Sequence, residues 1–366
     1  MNSRKTGVYI HIPFCLKKCA YCDFVSYENV PCELKEKYVS AVISQMQKFK
    51  GEKVDTIYFG GGTPTTLKAS QIKRLLDAAF DVFEVEKDAE ITIECNPKTA
   101  DREYFKKLKN YGINRLSIGV QSLNDDELSY LGRVHTAQEA KDCISDAFEA
   151  GFDNFSVDVM FGLKCQTLKS IKETLDGLLA FNPTHISCYS LIISEGTPFY
   201  EKGVEPIDED LERKMQWFIV DYLKEKGYLR YEISNFAKDE KISRHNTKYW
   251  EMVPYIGLGA AASSYYNGER YENTADINEF IKKPHAKLNI EKLTKEDEMS
   301  EFMFLGLRKT EGVLFSEFYE KFGVEIEEKY DIRKNIELGL LIKEGDRLFL
   351  SQRGIDVSNT VFLDFV

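Results

Sequence analysis

The feature that most constrains the fold of this 366-residue chain is a regular alternation of strand-like and helix-like segments before residue 235. Each repeat begins with a short run of β-branched or aromatic residues, and an amphipathic stretch follows it. Successive strands are roughly 35 residues apart, which is typical of right-handed βαβ units in a parallel sheet. The predicted strands are 7–14, 54–59, 90–95, 113–120, 154–161 and 185–193, and the predicted helices are 33–50, 70–83, 101–110, 137–150, 167–181 and 209–226.

Six such units are too few to close an eight-stranded barrel. The sequence therefore predicts an α/β fold that is either a partial (β/α)6 barrel or an open doubly wound sheet. In both architectures, ligands bind at the carboxyl ends of the parallel strands. The motifs described below follow predicted strands, so we expect them to meet at that edge of the sheet.

The pattern changes after residue 235. The stretch 241–275 is rich in aromatic residues, small residues and Asn, and it shows no long helical period. Thr294 is a predicted helix N-cap. Predicted helices at 315–323 and 326–342, followed by a strand at 347–351, indicate a small α+β module that resembles a winged helix. The predicted domains are a core at 1–235, a segment that completes the barrel at 236–290 and a C-terminal module at 291–366, with a Lys-rich link at 282–295 as the boundary.

Charge and hydropathy exclude several classes of function. The chain has 60 acidic and 49 basic residues, a net charge of −11, which disfavours general binding to nucleic acids. No apolar run reaches the roughly 18 to 20 residues of a transmembrane helix. The basic N-terminal start reaches His11 and Pro13 before a signal-peptide core can form. We expect a cytoplasmic protein without a transmembrane segment, and a peripheral membrane contact stays open.

Three of the eight cysteines lie directly after the first predicted strand, in the spacing C-x3-C-x2-C. Clustered cysteines in a reducing compartment indicate metal ligands. A structural zinc site needs a fourth ligand, for which Cys32 is the candidate. Three thiolates can instead hold a [4Fe–4S] cluster with one iron open to an exchangeable ligand, and the spacing favours this alternative. The three are Cys15, Cys19 and Cys22, and we expect Cys32, Cys95, Cys143, Cys165 and Cys188 to be small buried hydrophobic residues.

The segment around these cysteines, YIHIPFCLKKCAYCDF, resembles the cluster-binding segment of radical S-adenosylmethionine proteins, within the oxygen-independent coproporphyrinogen III oxidase family. Tyr9, Ile12–Phe14 and Tyr21 carry the resemblance to that family. It implies a [4Fe–4S] cluster on the three cysteines and S-adenosylmethionine on the open iron. The motif GGGTP at 60–64 resembles the family segment that holds the methionine part of this cofactor, whereas a lone GGG is more often a tight turn.

Further polar residues follow the later strands. Taken singly, Glu94, Gln121 and Arg133 have ordinary interpretations as a surface acid, a strand end and a salt bridge. Asp158 lies inside a hydrophobic strand, and a buried charge needs a partner. The guanidinium of Arg133 suits a carboxylate. The resemblance implies that the cofactor pocket consists of Tyr9, Tyr21, Gly61, Gly62, Thr63, Glu94, Gln121, Arg133 and Asp158.

Two departures count against the oxidase reaction. Phe24 stands where the oxidases typically carry a further cysteine, and their extended segment before Tyr9 is missing. The segments YEISNFA (231–237), RHNTKYW (244–250) and YIGLGAAASSYYNG (255–268) resemble instead the HemW-type haem chaperones, a branch of the same family. This resemblance implies that the chain binds haem as cargo and passes it to an acceptor protein, whose identity the sequence does not show.

The last of these segments departs from the chaperone pattern G-x-G-P-G-A-H-S. Ala260 stands at its Pro position, Ala261 at the Gly that follows this Pro, and Ser263 at its His position. Ser263 cannot replace a histidine as an iron ligand, so His245 becomes the candidate haem ligand. The alternative is that His245 and Trp250 hold the end of the sheet together.

Three hypotheses follow. The favoured one is a haem chaperone in which the cluster and S-adenosylmethionine have a regulatory or assembly role. The second is a radical enzyme that acts on a porphyrin or a small aromatic substrate, as an oxidase or a methyl transferase. The third is a zinc-binding structural protein. The sequence leaves open whether S-adenosylmethionine is cleaved or only bound, and therefore whether the chain is an enzyme.

Overall fold

A 12-stranded mixed sheet organises the larger part of the chain in the computed structural model, which describes residues 5–366. Its central strands are long, buried and rich in β-branched residues, as expected for strands that are covered on both faces. The first eight strands of the chain, of which β2 and β3 form a separate small pair, are β1 (Thr6–Ile12), β2 (Phe14–Cys15), β3 (Tyr27–Glu28), β4 (Lys53–Gly61), β5 (Glu84–Cys95), β6 (Arg115–Gln121), β7 (Phe155–Phe161) and β8 (His185–Ser190).

Helices connect these strands, and their ends are set by local sequence. The Asp101 side chain accepts a hydrogen bond from the Tyr104 amide, and Thr136 and Thr167 form capping boxes with the third residue of their helices. The helices are α1 (Cys32–Met46), α2 (Ala69–Val82), α3 (Arg102–Tyr111), α4 (Asp125–Tyr130), α5 (Ala137–Glu149), α6 (Leu168–Leu179), α7 (Pro198–Glu201) and α8 (Glu209–Glu225), and short 3₁₀ turns cover Gln47–Phe49 and Pro64–Thr66.

Six strands form a parallel array in the order β1-β4-β5-β6-β7-β8. Each of the six predicted strands and six predicted helices is confirmed. Consecutive βα units lie side by side because a right-handed crossover returns each new strand to the edge of the previous one. The carboxyl ends of all six strands therefore meet at one edge of the sheet.

The chain after α8 extends both edges of this array. Strand β10 pairs antiparallel with β8, and β11 pairs parallel with β1. Within residues 5–366 the two outermost strands, β9 and β14, are the ends of an open sheet. These elements are β9 (Leu229–Arg230), β10 (Asn235–Ala237), α9 (Arg244–Trp250), β11 (Tyr255–Leu258), β12 (Ser263–Tyr266), β13 (Glu269–Glu272), α10 (Ile277–Lys282) and β14 (Leu288–Lys292).

The predicted Lys-rich link contains a strand instead of an unstructured connection. Strand β14 lies at 288–292 and pairs with β13. Strands β12 and β13 form a hairpin through Asn267 and Gly268, which both have positive φ (55° and 73°). Asn-Gly between two strand-like runs is a strong hairpin signal, which the sequence interpretation missed.

The C-terminal part has its own antiparallel sheet and its own apolar core. Its element order, a helix, a strand, helices and a hairpin, is that of a winged helix. The predicted N-cap at Thr294 is confirmed by its hydrogen bond from the Asp297 amide. The elements are α11 (Lys295–Gly306), β15 (Val313–Leu314), α12 (Phe315–Phe322), α13 (Ile326–Lys329), α14 (Arg333–Glu337), β16 (Leu341–Glu344), β17 (Arg347–Leu350), α15 (Gln352–Asp356) and α16 (Ser358–Leu363).

The prediction of one helix over 326–342 is wrong. The chain forms α13 and α14 and then enters β16. Between the two helices, the Asp331 carboxylate accepts a hydrogen bond from the Arg333 amide, a local bond that competes with helix formation. The predicted domain boundaries near residues 235 and 290 stay predictions. In the described part of the chain, every helix is too short or too polar to span a membrane.

Candidate cluster and cofactor site

A cavity of about 450 Å³ opens at the carboxyl ends of the parallel strands. Residues from the loop after β1 and from the ends of β4, β5, β6, β7 and β8 line it. The structure thus brings together all predicted site residues except Tyr9 and His245. Those that line the cavity are Cys15, Cys19, Tyr21, Cys22, Gly61, Gly62, Thr63, Glu94, Gln121, Arg133 and Asp158.

The loop that carries the three cysteines is held by its backbone and by apolar packing. The Ala20 amide donates to the Leu131 carbonyl at 3.0 Å, and the Ala20 carbonyl accepts from the Phe199 amide at 2.9 Å. Ala20 and Tyr21 also pack against a small hydrophobic cluster that includes Leu131 and Phe199. The position of the loop therefore does not depend on bonds between the thiols.

All three thiols are free and partly accessible on the cavity wall. Burial raises the pKa of the Cys15 and Cys22 thiols, that of Cys22 to about 11. Three cysteine sulfurs are the donor set of an iron–sulfur cluster with one open position, and metal binding displaces the thiol protons. Among residues 5–366 no three His, Cys, Asp or Glu side chains are grouped closely enough to hold a single metal ion.

The glycine turn after β4 lets the backbone approach the cysteine loop. Gly61 has a φ of 112°, and a Cβ built on it would lie 2.6 Å from the His11 ring. A Cβ on Gly62 would lie 2.9 Å from the Phe14 backbone and 3.0 Å from the Cys15 sulfur. The absence of side chains on both glycines therefore lets the turn pack directly against His11, Phe14 and Cys15, where a Cβ would clash.

A chain of side chains connects two of the cysteine sulfurs. The Thr63 hydroxyl lies 3.7 Å from the Cys15 sulfur and accepts a hydrogen bond from Asn96 Nδ2 at 2.8 Å. Asn96 Oδ1 accepts from the Arg133 guanidinium at 2.6 Å, and Arg133 also donates to the Cys19 sulfur at 3.4 Å. Hydrogen bonds to ligand sulfurs orient them and stabilise their negative charge. We call these three residues the Thr63–Asn96–Arg133 chain.

Asn96 and Gly119 are site residues that the sequence interpretation missed. The Gly119 carbonyl accepts a hydrogen bond from Arg133 at 2.5 Å, and a Cβ on Gly119 would lie 2.4 Å from the Asn96 side-chain oxygen. Asn96 follows Glu94 by two residues at the same strand end, and this position could have identified it as a site residue. Nothing in the local sequence identifies Gly119, because its role depends on Asn96 and Arg133, which come from two other segments.

Two half-buried carboxyl groups face the cavity. Glu94 accepts hydrogen bonds from the Tyr58 hydroxyl at 2.8 Å and from the Gly61 amide at 3.2 Å. Burial raises the pKa of Glu94 to about 7 and that of Asp158 to about 6, although the Arg115 charge opposes the rise in both. One Asp158 oxygen is buried without a hydrogen-bond partner in the described structure. This oxygen fits a ligand that carries a hydroxyl or a positive charge.

Gln121 ends β6 in an unusual backbone conformation. Its φ is 72°, in the left-handed region that residues other than glycine rarely adopt, and its side chain is buried. The β6–β7 ladder is irregular between Ile118 and Gln121. Strain of this kind is typical of functional sites, and here it occurs in a residue that lines the cavity.

Tyr9 lies under the glycine turn and does not line the cavity. A Cβ on Gly60 would be 2.9 Å from the Tyr9 ring, and the Tyr9 hydroxyl is hydrogen-bonded to His11 at 3.0 Å. The Tyr9 ring stacks on Tyr58 at 6.2 Å between centroids. Tyr58 donates a hydrogen bond to Glu94. The stacking of Tyr9 on Tyr58 therefore helps to position a side chain that lines the cavity.

His245 also lies outside the cavity. It is in α9 and only 1% exposed. Its Nδ1 lies 2.8 Å from the Thr56 hydroxyl and its Nε2 lies 2.9 Å from the Tyr249 hydroxyl, so both ring nitrogens are engaged. Burial lowers the pKa of His245 to about 3, and the ring is therefore neutral. Haem ligation by His245 stays a prediction, and this buried placement does not support it. The hydrogen bond to Thr56 fits instead a structural role in which His245 joins α9 to β4.

The prediction that the scattered cysteines are buried is correct for three of five. Cys95, Cys143 and Cys188 are buried, but Cys32 and Cys165 are exposed. Cys32 is the first residue of α1 and Cys165 lies in the loop before α6, and neither lines the cavity. Cys32 is followed by Glu33, and Cys165 stands between Lys164 and Gln166, so neither lies within a hydrophobic run that would predict burial.

Comparison with known proteins gives a consistent result. Residues 9–178 match the model of the radical SAM superfamily, and residues 293–357 match the HemN C-terminal domain. The "Heme chaperone HemW" of Lactococcus lactis is 36% identical, over 100% of this chain and 98% of the relative. The "Heme chaperone HemW" of Bacillus subtilis is also 36% identical, over 98% and 99%.

A solved structure shows the same fold. Coproporphyrinogen III oxidase (HemN) from Escherichia coli, a radical SAM enzyme, superposes with a TM-score of 0.87 at 21% identity, over 99% of this chain and 90% of that chain. The present structure therefore has the α/β radical SAM fold with a mostly parallel sheet, followed by a small domain with an antiparallel sheet.

Proposed function

We propose a function for this chain from the premise that it belongs to the HemW haem chaperones, a branch of the radical SAM superfamily. In this proposal it binds haem and transfers it to an acceptor protein. It also carries a [4Fe–4S] cluster with exchangeable S-adenosylmethionine. The observation that carries the proposal is the single cavity in which three cysteine thiols meet the polar strand ends, in a chain that matches HemW over its whole length. The reducing cytoplasm, where such thiols stay available, is the proposed location.

When bound, a cluster with three cysteine ligands supplies an open iron position for an exchangeable ligand. Cys15, Cys19 and Cys22 would hold it, and the Thr63–Asn96–Arg133 chain would orient two of the sulfurs. The positive charge of Arg133 would also attract the cofactor carboxylate. Glu94, Gln121 and Asp158 would accept hydrogen bonds from its amino and hydroxyl groups, while Tyr9, Tyr21, Gly61 and Gly62 shape the pocket.

The two raised carboxyl pKa values predict that cofactor affinity depends on pH. S-adenosylmethionine is a sulfonium cation, and its binding favours ionised Glu94 and Asp158. Because their pKa values are about 7 and about 6, both carboxyls take up protons as the pH falls through this range. We expect the affinity to weaken below about pH 7, by up to about tenfold per pH unit for each carboxyl that must lose its proton.

Equilibrium dialysis of the anaerobically reconstituted protein, from about pH 5 to about pH 8, measures this dependence. The Asp158→Asn variant is the comparison, because its neutral side chain has nearly the same shape and cannot titrate. Its affinity should change less with pH than that of the wild type. An unchanged profile in the variant would remove Asp158 from the cofactor pocket.

The proposed function is tested with haem and coproporphyrinogen. The protein is reconstituted anaerobically with iron and sulfide, and then receives reductant, S-adenosylmethionine and one of the two tetrapyrroles. We expect stoichiometric haem binding, no decarboxylation of coproporphyrinogen, and loss of bound haem to an apo-haem protein that is added afterwards. Sustained formation of 5′-deoxyadenosine together with a changed tetrapyrrole would support the radical enzyme instead.

A further inference from the structure

Large hydrophobic side chains are exposed around the mouth of the cofactor cavity. The exposed fractions are 53% for Leu16, 61% for Phe24, 40% for Tyr189 and 74% for Ile192. All four line the same cavity. Leu16 and Phe24 belong to the cysteine loop, whereas Tyr189 and Ile192 lie at and after the end of β8. Exposed apolar side chains that face each other across an opening mark a binding surface, whereas single ones are ordinary.

Two positive charges lie on the same opening. Lys17 and Lys18 line the cavity, and within residues 5–366 neither takes part in an ion pair. The nearby carboxylates are hydrogen-bonded to other groups, because Asp23 accepts from the Ser194 hydroxyl at 3.3 Å and Glu28 accepts from the Lys18 backbone amide. The opening therefore offers two ammonium groups that are not ion-paired with any described residue, beside apolar surface. We call Leu16, Lys17, Lys18, Phe24, Tyr189 and Ile192 the mouth rim.

We propose that the mouth rim is the haem seat, with the macrocycle on Leu16, Phe24 and Ile192 and the two carboxylates directed to Lys17 and Lys18. This inference rests on the proposed function, since it assigns a place to the haem cargo. Haem is a flat apolar disc with two carboxylates at one edge, and the rim combines these two chemistries in a concave opening. A concave opening of this kind suits a small ligand rather than the flat face of a partner protein. Phe24, the residue that stands in place of the oxidase cysteine, belongs to this seat.

The seat has a consequence for the cofactor. The rim surrounds the opening through which the cavity reaches solvent, so haem on the rim covers the path of S-adenosylmethionine. Bound haem therefore slows the release of the cofactor. In the described structure no histidine lines this cavity, and His245 is buried with both ring nitrogens engaged. The seat thus works by apolar contact and charge, without His245.

Haem titration of rim variants tests the seat. Phe24→Ser/Ile192→Ser removes apolar surface, and Lys17→Glu/Lys18→Glu reverses the charge. The matched controls are Leu229→Ser/Ile290→Ser, which removes exposed hydrophobic side chains elsewhere, and Lys50→Glu/Lys107→Glu, which reverses two exposed charges elsewhere. The titration follows the Soret band of anaerobically reconstituted protein, whose iron content verifies that each variant holds its cluster. We expect each rim variant to bind haem at least about tenfold more weakly and the controls to stay within about twofold.

Two further measurements separate the seat from other modes of binding. Iron-free protoporphyrin has the same face and carboxylates, and we expect it to compete with haem. Release of radiolabelled S-adenosylmethionine should be slower with haem than without it in the wild type, and equal in the rim variants. If the apolar variant does not fold, the lysine variant carries the test, since surface lysines tolerate replacement.

The outcomes distinguish the inference from the function on which it rests. A wild-type protein that binds no haem contradicts the proposed function itself. Normal haem binding by both rim variants overturns the seat and leaves the chaperone function standing. The seat is also overturned if His245→Ala abolishes binding while the rim variants retain it, or if haem leaves the rate of cofactor release unchanged.

Discussion

Replacing Cys15, Cys19 and Cys22 together by Ala is expected to abolish the [4Fe–4S] cluster and to leave the fold intact. The cluster is lost because alanine supplies no thiolate, and the other sulfur atoms that line the cavity, those of Cys95 and Met160, are buried in β5 and β7, outside the cysteine loop. The fold is retained because the loop is held by the Ala20 backbone hydrogen bonds and by packing of Tyr21. Iron and sulfide analysis, visible absorption and far-UV circular dichroism measure these two effects.

The matched control is the Cys32→Ala/Cys165→Ala variant. Both of these cysteines are exposed and lie outside the cavity, so their removal changes the number of thiols but not the site. We expect this variant to bind as much iron as the wild type. If the triple variant kept its iron, or if the control lost it, the assignment of the cluster to the three-cysteine loop would be wrong.

Gly61→Ala is expected to lower both the stability of the protein and its affinity for the cofactor. The backbone of Gly61 has a φ of 112°, and the added Cβ would lie 2.6 Å from the His11 ring. His11 is buried, and the Tyr9 hydroxyl and the Val25 carbonyl hold its two ring nitrogens, so the ring cannot move aside. The turn must then shift, and the Gly61 amide loses its hydrogen bond to Glu94.

Gly51→Ala separates the backbone effect from the crowding. Gly51 also has a positive φ, 85°, but a Cβ on it would meet nothing within 4 Å. We expect the left-handed conformation to cost about 1 kcal/mol in both variants, and crowding to add about 1 to 3 kcal/mol in Gly61→Ala alone. Urea unfolding measures the difference, and equilibrium dialysis measures cofactor affinity. Equal losses of stability in the two variants would show that the contact with His11 does not constrain the turn.

The order of elements in the core was predictable from sequence because it depends on local periodicity. Runs of β-branched residues such as 54–59 alternate with amphipathic stretches such as 70–83, and the parallel sheet follows from their spacing. The same logic placed Glu94 and Asp158 at one edge of the sheet before their contacts were known. Where a local hydrogen bond competed with the helical period, as at Asp331, the sequence interpretation failed.

The burial or exposure of individual motif residues was less predictable than the order of the elements. His245 and Phe24 are both part of motifs that resemble the family, but one is fully enclosed and the other is 61% exposed. The His245 ring is hydrogen-bonded to Thr56, which is 189 residues away in sequence, and it stacks on Tyr58. Phe24 lines the cavity together with Ile192, which comes from the segment after β8. Neither environment is encoded in a local pattern.

The sequence by itself determined the parallel α/β core, the three-cysteine loop after its first strand and the edge of the sheet where the polar residues meet. These features follow from short-range spacing, since strand ends and thiol positions are fixed within a few residues. Only the tertiary structure decided that Asn96 and Arg133 link Cys15 to Cys19, that His245 is withdrawn from the cavity, and that the mouth rim combines apolar surface with two lysines. Each of these depends on side chains from distant segments meeting in space, and packing of the whole sheet sets those distances.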